Sequence, residues 1–370
     1  MRTKCCPFEA GPFWMLSPEL SKQAEQLQQQ AADGRLSVLF GAGISFSSGL
    51  PSWSGLLKEL ATRAGFDNAE KAELDGFAKS YGYLDLATLI QRRMGDEAKF
   101  KQTVADCTEH GRFTPCHALL GSMRLPAVTT NYDPFYEDAV GSAAKCDEDR
   151  VQTLPWDAAG LDTMPMDVRR LLKLHGCVKY PSSIVLTHKD YMRYEDTRRA
   201  LRGRVHSDLI GRNVLVLGFS MTDNNVQLII DQVREALGDA PQDGFMMGTV
   251  ITMTENALFR ELWEKEFHVV SCGKTWKDDL PPGWVHDCFV DALASGIVQH
   301  GTAGSFILDP DYASMLTDEQ KAIKAALLPL QAILQDNSIN DAACRDHVAG
   351  ILRVFGSEPT KKITSSDPEK

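Results

Sequence analysis

Six runs of four or five mostly apolar residues constrain this chain more than any other feature. They are Leu36–Phe40, Pro126–Thr129, Leu171–Leu174, Val214–Leu217, Gly248–Thr252 and Phe267–Ser271. Runs this short, with little polar alternation, suit strands buried on both faces. Stretches with helical spacing, such as Asn224–Leu237 and Glu255–Glu266, lie between several of them. Strands separated by helices imply right-handed crossovers and a parallel sheet. The expected fold class is therefore α/β, a Rossmann-like parallel sheet with a helical insertion and C-terminal helices. Ligands of such sheets collect in the crevice outside the carboxyl ends of the strands.

The chain divides into three parts on this reading. Residues 1–34 form an N-terminal helical extension: Ser17 can cap a helix, Pro18 suits its first position, Glu19 complements its dipole and Gly34 ends it. Residues 35–300 form the sheet domain. Its segment from about 66 to 124 lacks strand patterning and reads as a helical insertion, with helices near Tyr83–Arg93 and Cys116–Met123. Residues 301–370 carry C-terminal helices. Thr317-Asp318-Glu319-Gln320 is a capping box, Pro329 predicts a bend, a second helix covers about 340–355, and the polar tail Ser357–Lys370 is expected to be disordered.

Bulk properties exclude several classes of protein. The formal net charge is −11, so nothing in the charge asks for a direct nucleic-acid partner. No run approaches a membrane span. Phe13-Trp14-Met15-Leu16 is bracketed by Pro12 and Pro18 and is too short for a signal peptide, so a cytoplasmic location is expected. Nine scattered cysteines with no C-x-x-C support neither a disulfide framework nor a thiolate zinc site. The arginines Arg198, Arg199, Arg202 and Arg204 read either as a solvated helix face or as an anion or partner site. His117, His188 and His206 show no metal-ligand spacing, and no metal is expected.

Four short motifs sit at the ends of the predicted strands. Gly41-Ala42-Gly43-Ile44-Ser45 fits a phosphate-binding turn, because glycines let backbone approach an anion. A plain strand-to-helix turn would look the same. The dehydrogenase fingerprint fails at Phe46, and no P-loop Gly-Lys-Ser/Thr is present. In Thr130-Asn131-Tyr132-Asp133, the amide and carboxylate lie on one side if the strand conformation continues, and together can grip ribose hydroxyls or a carboxamide. Asp133 is equally suited to cap a helix starting at Pro134. His175, followed by Gly176, would face the crevice with a pKa near neutrality, although single histidines are more often structural. Gly218-Phe219-Ser220 can complete a phosphate or ribose contact, and Asp223 reads as the cap of Asn224–Leu237.

Taken together, these residues resemble the sirtuin-like superfamily, whose members bind NAD in a Rossmann-type crevice and cleave its nicotinamide–ribose bond. Gly41–Ser45 matches the opening glycine motif, Asn131 and Asp133 the Asn-x-Asp element, His175-Gly176 the catalytic His-Gly, and Gly218-Phe219-Ser220 the later Gly-x-Ser. Protein-deacylating sirtuins carry two C-x-x-C pairs for zinc between the last two elements, where this chain has only Cys177. Their Gly-Ile-Pro-Asp-Phe-Arg loop is replaced here by Ser48-Gly49-Leu50-Pro51-Ser52-Trp53. These departures, with Thr129-Thr130-Asn131-Tyr132-Asp133 and Ile184-Val185-Leu186-Thr187…Asp190-Tyr191, resemble the zinc-less bacterial branch of antiphage defence.

The resemblance implies an NAD+ glycohydrolase (NAD+ nucleosidase) that releases nicotinamide and ADP-ribose as an abortive-infection effector. NAD is then the substrate, and no zinc is needed. His175, Asn131 and Asp133 would be catalytic; Gly41, Ala42, Gly43, Ser45, Thr130, Gly218 and Ser220 would bind the dinucleotide. The chain leaves no room for a full second sensor domain, so activation is expected from homo-oligomerisation or from a partner such as an ATPase or another defence protein. Two alternatives stay open: an NAD-dependent protein deacylase, and a non-catalytic scaffold that senses NAD or ADP-ribose.

Overall fold

The computed structural model describes residues 16–143, 151–156, 169–238, 245–273, 282–302, 307–335 and 341–356. The chain forms two compact units, Met1–Ala294 and Ser295–Lys370. The predicted disordered tail, 357–370, lies outside the described residues.

Among the described residues, the first unit is built on seven strands: β1 (Leu36–Phe40), β2 (Ala127–Thr129), β3 (Gln152–Leu154), β4 (Arg170–Lys173), β5 (Asn213–Leu217), β6 (Gly248–Thr252) and β7 (Phe267–Ser271). All pair in parallel, in the order β3-β4-β2-β1-β5-β6-β7. The six predicted strands are present. The seventh, β3, is a three-residue Gln-Thr-Leu segment with no apolar run to mark it. From β1 the chain works out to one edge through β2, β3 and β4, then crosses back to β5 and proceeds to the other. The reversal between β1 and β5 is the topological switch point where an open α/β sheet holds its ligand.

Register decides which residues meet there. Phe40 pairs with Thr129 on one side and Leu217 on the other, and Thr129 pairs with Lys173. These four strand ends form one row across the sheet. The segments that leave it, starting at residues 41, 130, 174 and 218, therefore emerge side by side.

Two apolar cores fix this frame. On the sheet, Leu39, Val128, Leu172 and Val216 pack with Val205 and Leu209 of helix Tyr194–Gly211 and with Val226, Ile229 and Val233 of helix Asn224–Leu237. The predicted insertion is helical throughout, as Asn68–Tyr81, Tyr83–Met94, Glu97–Thr108 and Pro115–Ser122. It has its own core, in which Leu57, Leu60, Leu86, Ile90, Phe100 and Val104 enclose Tyr132, Ile184 and Leu186. The insertion thus grips the segments that follow β2 and β4. The Tyr132 hydroxyl donates to the Val185 carbonyl at 2.7 Å and ties those two segments together.

The N-terminal helix, Pro18–Ala32, begins as predicted: the Ser17 side chain accepts from the Leu20 N–H. A helix over Pro282–Thr302, not marked in the sequence reading, buries Val285, Phe289, Val290 and Leu293. In the second unit, Thr317 and Gln320 make both bonds of the predicted capping box, at 2.9 and 3.3 Å. The helix they open, Asp318–Gln335, contains Pro329, and helix Ala342–Val354 follows.

Candidate active site

A cleft of about 750 Å³ opens over the switch point. Ala42, Gly43, Ser45, Thr130, Asn131, Asp133, His175, Gly218 and Ser220 all line it, so residues far apart in sequence are brought to one place. Gly41 does not face the cleft directly, but its carbonyl accepts from the Asn131 amide. Trp53, Tyr81 and Tyr83 add aromatic surface beside the mouth.

The glycines are explained by backbone meeting backbone. A Cβ at Gly43 would lie 2.7 Å from both Cα and O of Gly218, and one at Gly218 only 2.6 Å from the Ile44 nitrogen. Gly218 also has φ +58°, a left-handed value that L side chains rarely adopt. The loops after β1 and β5 therefore pack at a distance that excludes side chains. The Gly41 N–H donates to Leu217 O at 3.0 Å and the Gly43 N–H to Gly218 O at 2.8 Å. What these two glycines supply is close approach. Ala42–Ser48 forms a 3-10 turn rather than an extended loop.

Beyond β2, the Thr129 hydroxyl donates to Phe40 O and accepts from the Asn131 N–H, which locks the start of the motif to β1. Asn131 and Asp133 are both buried. The Asn131 side-chain nitrogen donates to Gly41 O and to Ser45 Oγ, each at 3.2 Å. One Asp133 oxygen accepts from Ser45 Oγ at 3.1 Å and the other from the Phe135 N–H at 3.2 Å. The helix-cap reading of Asp133 thus holds, at the start of helix Phe135–Ala143, and the carboxylate also lines the cleft. Burial raises its pKa, an effect that the charge of nearby Lys173 opposes. Lys173 is itself fully buried, pairing with Glu137 at 2.8 Å and donating to the carbonyl of Asp133 at 2.6 Å.

His175 leaves β4 with only 2% of its surface exposed, yet lines the cleft. Gly176 follows with φ +104°, and a Cβ there would sit 2.5 Å from Ser183 O, so the His-Gly pair is a requirement of the turn. The imidazole lies between the rings of Tyr191 and Tyr194, edge-on, at centroid distances of 5.6 and 5.5 Å. Among the described residues its Nε2 has no hydrogen-bond partner, and Asp223 Oδ1 lies 3.6 Å from it. Burial lowers its pKa; Asp223 pulls in the opposite direction and Arg198 adds to the lowering. The net effect favours the neutral ring, the form that can accept a proton.

Asp223 does more than its sequence position indicated. Oδ1 caps Asn225 and Val226 at 3.0 Å each, as expected, while Oδ2 accepts from the Tyr191 hydroxyl at 2.6 Å. The carboxylate therefore holds one face of the histidine pocket through Tyr191 and reaches toward the ring itself. Ser220 is exposed, and its hydroxyl bonds that of Thr222 at 2.7 Å. His117 has no metal-ligand spacing in the sequence to single it out. It is wholly buried and lies 3.2 Å from Ser45 Oγ. Among the described residues, Cys116, His286 and Asp287 each bring a metal-capable atom within 4.8 Å of the others, with Asp287 exposed.

A sheet with this strand order, and these four motifs at its switch point, resemble a sirtuin-like nucleotide-binding domain. Residues 126–270 match the SIR2-like domain family. Its relatives include NAD(+) hydrolase ThsA of Enterococcus faecium, 28% identical over 214 residues, 55% of this chain and 41% of that protein. ThsA of Bacillus cereus (strain MSX-D12) is 26% identical over 226 residues, 60% of this chain and 44% of that one. Defense-associated sirtuin 2 of Bacillus subtilis is 24% identical over 250 residues, 66% of this chain and 24% of that one. The chain spans less than half the length of these curated relatives. The crystal structure of a Sir2 homologue–NAD complex aligns with 74% of this chain and 94% of that one, at 15% identity and a TM-score of 0.37. The resemblance read from the four motifs thus meets relatives of the same kind, hydrolases of NAD+ and a defence sirtuin. No described helix is long and apolar enough to cross a membrane.

Proposed function

We propose that this chain is an NAD+ glycohydrolase acting as the effector of a cytoplasmic antiphage defence system. The observation that carries the reading is His175, which lines a cleft at the sheet's switch point while its buried Nε2 has no hydrogen-bond partner among the described residues. A buried polar atom without a partner is costly unless a ligand or water completes it. The likeness to ThsA supports NAD+ as that ligand.

In the reaction, the bond between the nicotinamide nitrogen and the anomeric carbon breaks, and its electron pair leaves with nicotinamide. Positive charge develops on the ribose. A water oxygen bonds to the anomeric carbon, giving ADP-ribose, and the proton it sheds is taken by His175 Nε2 and passed to solvent. Neutral His175 suits this role, since general-base assistance contributes about 10²–10⁴ in rate. Asn131 positions the water or a ribose hydroxyl. The Asp133 carboxylate, 6% exposed, stabilises the developing cation or holds the carboxamide. Ala42, Gly43, Thr130, Gly218 and Ser220 bound the space for the rest of the dinucleotide.

No zinc takes part in this scheme. We assign activation to homo-oligomerisation or to a partner protein such as an ATPase. The test is to express the chain with and without its genomic neighbour and follow NAD+, nicotinamide and ADP-ribose during phage infection. The expected result is stoichiometric conversion, abolished by His175→Ala. Nicotinamide release that strictly requires an acylated peptide would replace this reading with deacylation. Tight NAD+ binding without turnover in any activating condition would replace it with sensing.

A further inference from the structure

The glycine turn, the Asn131 motif and the insertion meet at a single buried hydroxyl, that of Ser45. Four groups surround it: Asn131 Nδ2 at 3.2 Å, Asp133 Oδ2 at 3.1 Å, His117 Nε2 at 3.2 Å and, one bond further, the Gly41 carbonyl shared with Asn131. We infer that His117 is a positioning residue for the site: as an Nε2–H donor it fixes the Ser45 hydroxyl, and through Ser45 it sets which atom Asn131 offers to the cleft.

A carbonyl oxygen only accepts, so the Asn131 group facing Gly41 O must be the NH₂. Its two N–H bonds are then spent on Gly41 O and Ser45 Oγ, and the amide oxygen is what Asn131 has left to offer. A backbone N–H only donates. The Thr114 N–H points at His117 Nδ1 at 3.1 Å, and the Thr114 hydroxyl, which can rotate, lies 2.8 Å from the same nitrogen; the N–H cannot turn away, which assigns Nδ1 as the acceptor and the proton to Nε2. The same tautomer is required from the other side, because the single Ser45 hydrogen goes to Asp133 and leaves only lone pairs for the ring and the amide. Two independent constraints thus give one arrangement: Nε2–H to Ser45 Oγ, Ser45 O–H to Asp133, and Asn131 N–H to Ser45 Oγ.

Local structure explains why a histidine stands there. Thr114 caps helix Pro115–Ser122, Pro115 occupies its first turn, and His117 at the third position reaches back to the cap as a capping-box side chain does. The ring is completely buried and meets Phe135 edge-on at 5.8 Å. It can neither swing out nor exchange its donor with solvent. An amide locked with its oxygen free accepts a hydrogen bond from water or from a ribose hydroxyl, which is the polarity a general base nearby requires. Were Ser45 free to rotate, the amide would lose one of its two anchors.

The kinetic consequence rests on the NAD+-cleaving reading, whereas the tautomer does not, and the test separates them. In the ¹⁵N-histidine-labelled full chain at pH 7, long-range ¹H–¹⁵N correlations, assigned by loss of one spin system in His117→Phe, are expected to show His117 protonated on Nε2 with Nδ1 as acceptor. Protonation on Nδ1 would overturn the inference. For turnover, His117→Phe keeps the ring volume and removes the donor, and His117→Gln restores a donor. We expect at least a tenfold loss of kcat with KM within threefold in His117→Phe, recovery in His117→Gln, and no further loss when His117→Phe is added to Ser45→Ala. Full kcat in His117→Phe, or fully additive losses in the double variant, would overturn it. A wild-type chain that releases no nicotinamide under any activating condition removes the functional reading alone, since the labelled spectrum still decides the positioning role.

Discussion

Replacing Asp223 by Asn tests how His175, the proposed base, is held. The side-chain oxygen of Asn keeps the caps on Asn225 and Val226, so helix Asn224–Leu237 and the fold should persist. The charge 3.6 Å from His175 Nε2 is lost, and the Tyr191 hydroxyl must turn to accept where it donated. With an effective dielectric near 20, an attraction at that range has a ceiling of about 4 kcal/mol. Two N–H donors and the tyrosine hydroxyl already share the carboxylate, which reduces this. Asp223 raises the pKa of His175 against the larger lowering by burial, so its removal lowers that pKa further. The basic form then persists to lower pH while becoming a weaker base. The expected result is a kcat about 10- to 100-fold below wild type at neutral pH, no more than the lower bound of full general-base assistance at about 10²–10⁴, with the acid limb of kcat/KM displaced to lower pH. The assay is nicotinamide release across about pH 4.5 to 8.5 by the activated protein, the pH span being set at about two units either side of an ordinary histidine. An unchanged acid limb with kcat within twofold of wild type would show that Asp223 only caps the helix.

Four further outcomes follow. Lys173→Met leaves Glu137 buried without its cation and should lower stability by about 3–5 kcal/mol in urea unfolding. Burial lowers the pKa of His117 from 6.5 to about 4, so the unfolded chain binds this proton first. Its contribution, about 3 kcal/mol at 1.36 kcal/mol per pH unit, is present above pH 6.5 and lost as pH falls toward 4; His117→Phe should flatten that part of the pH–stability curve. Gly218→Ala forces a Cβ to 2.6 Å from the Ile44 nitrogen at a positive φ and should cost about 1–3 kcal/mol in strain together with most NAD+ turnover, both measured on the purified protein. Elemental analysis should find well under one zinc per chain, with turnover indifferent to chelator; stoichiometric zinc lost on Cys116→Ser would locate an ion at the Cys116–His286–Asp287 group instead.

The frame, and the gathering of the candidate site residues at one cleft, were legible because they depend on local pattern. Buried strands are apolar runs, and a parallel sheet places their carboxyl ends together whatever lies between, so the glycine turn, Asn131, His175 and Gly218 could be assembled from strand ends alone. Strand β3 could not, since Gln152, Thr153 and Leu154 carry no apolar run and gain strand character only by pairing with β4. His117 and the fuller role of Asp223 were hidden for a related reason. Each has a local job, as a capping-box side chain and as a helix cap, that accounts for its presence, and only tertiary packing turns its other face to Ser45 or His175. The Thr114-Pro115-Cys116-His117 spacing was the available signal for the first. Lys173 interrupts an apolar strand, and what makes it tolerable there, Glu137 and two carbonyls, comes from the neighbouring motif.

The most direct measurement is a crystal structure of the activated His175→Ala protein with NAD+ bound. The account predicts the nicotinamide ribose over the row of strand ends, its anomeric carbon facing the gap left by the imidazole and a ribose hydroxyl or water on the Asn131 amide oxygen. A dinucleotide bound with its adenosine end in that position, or held elsewhere on the chain, would contradict it.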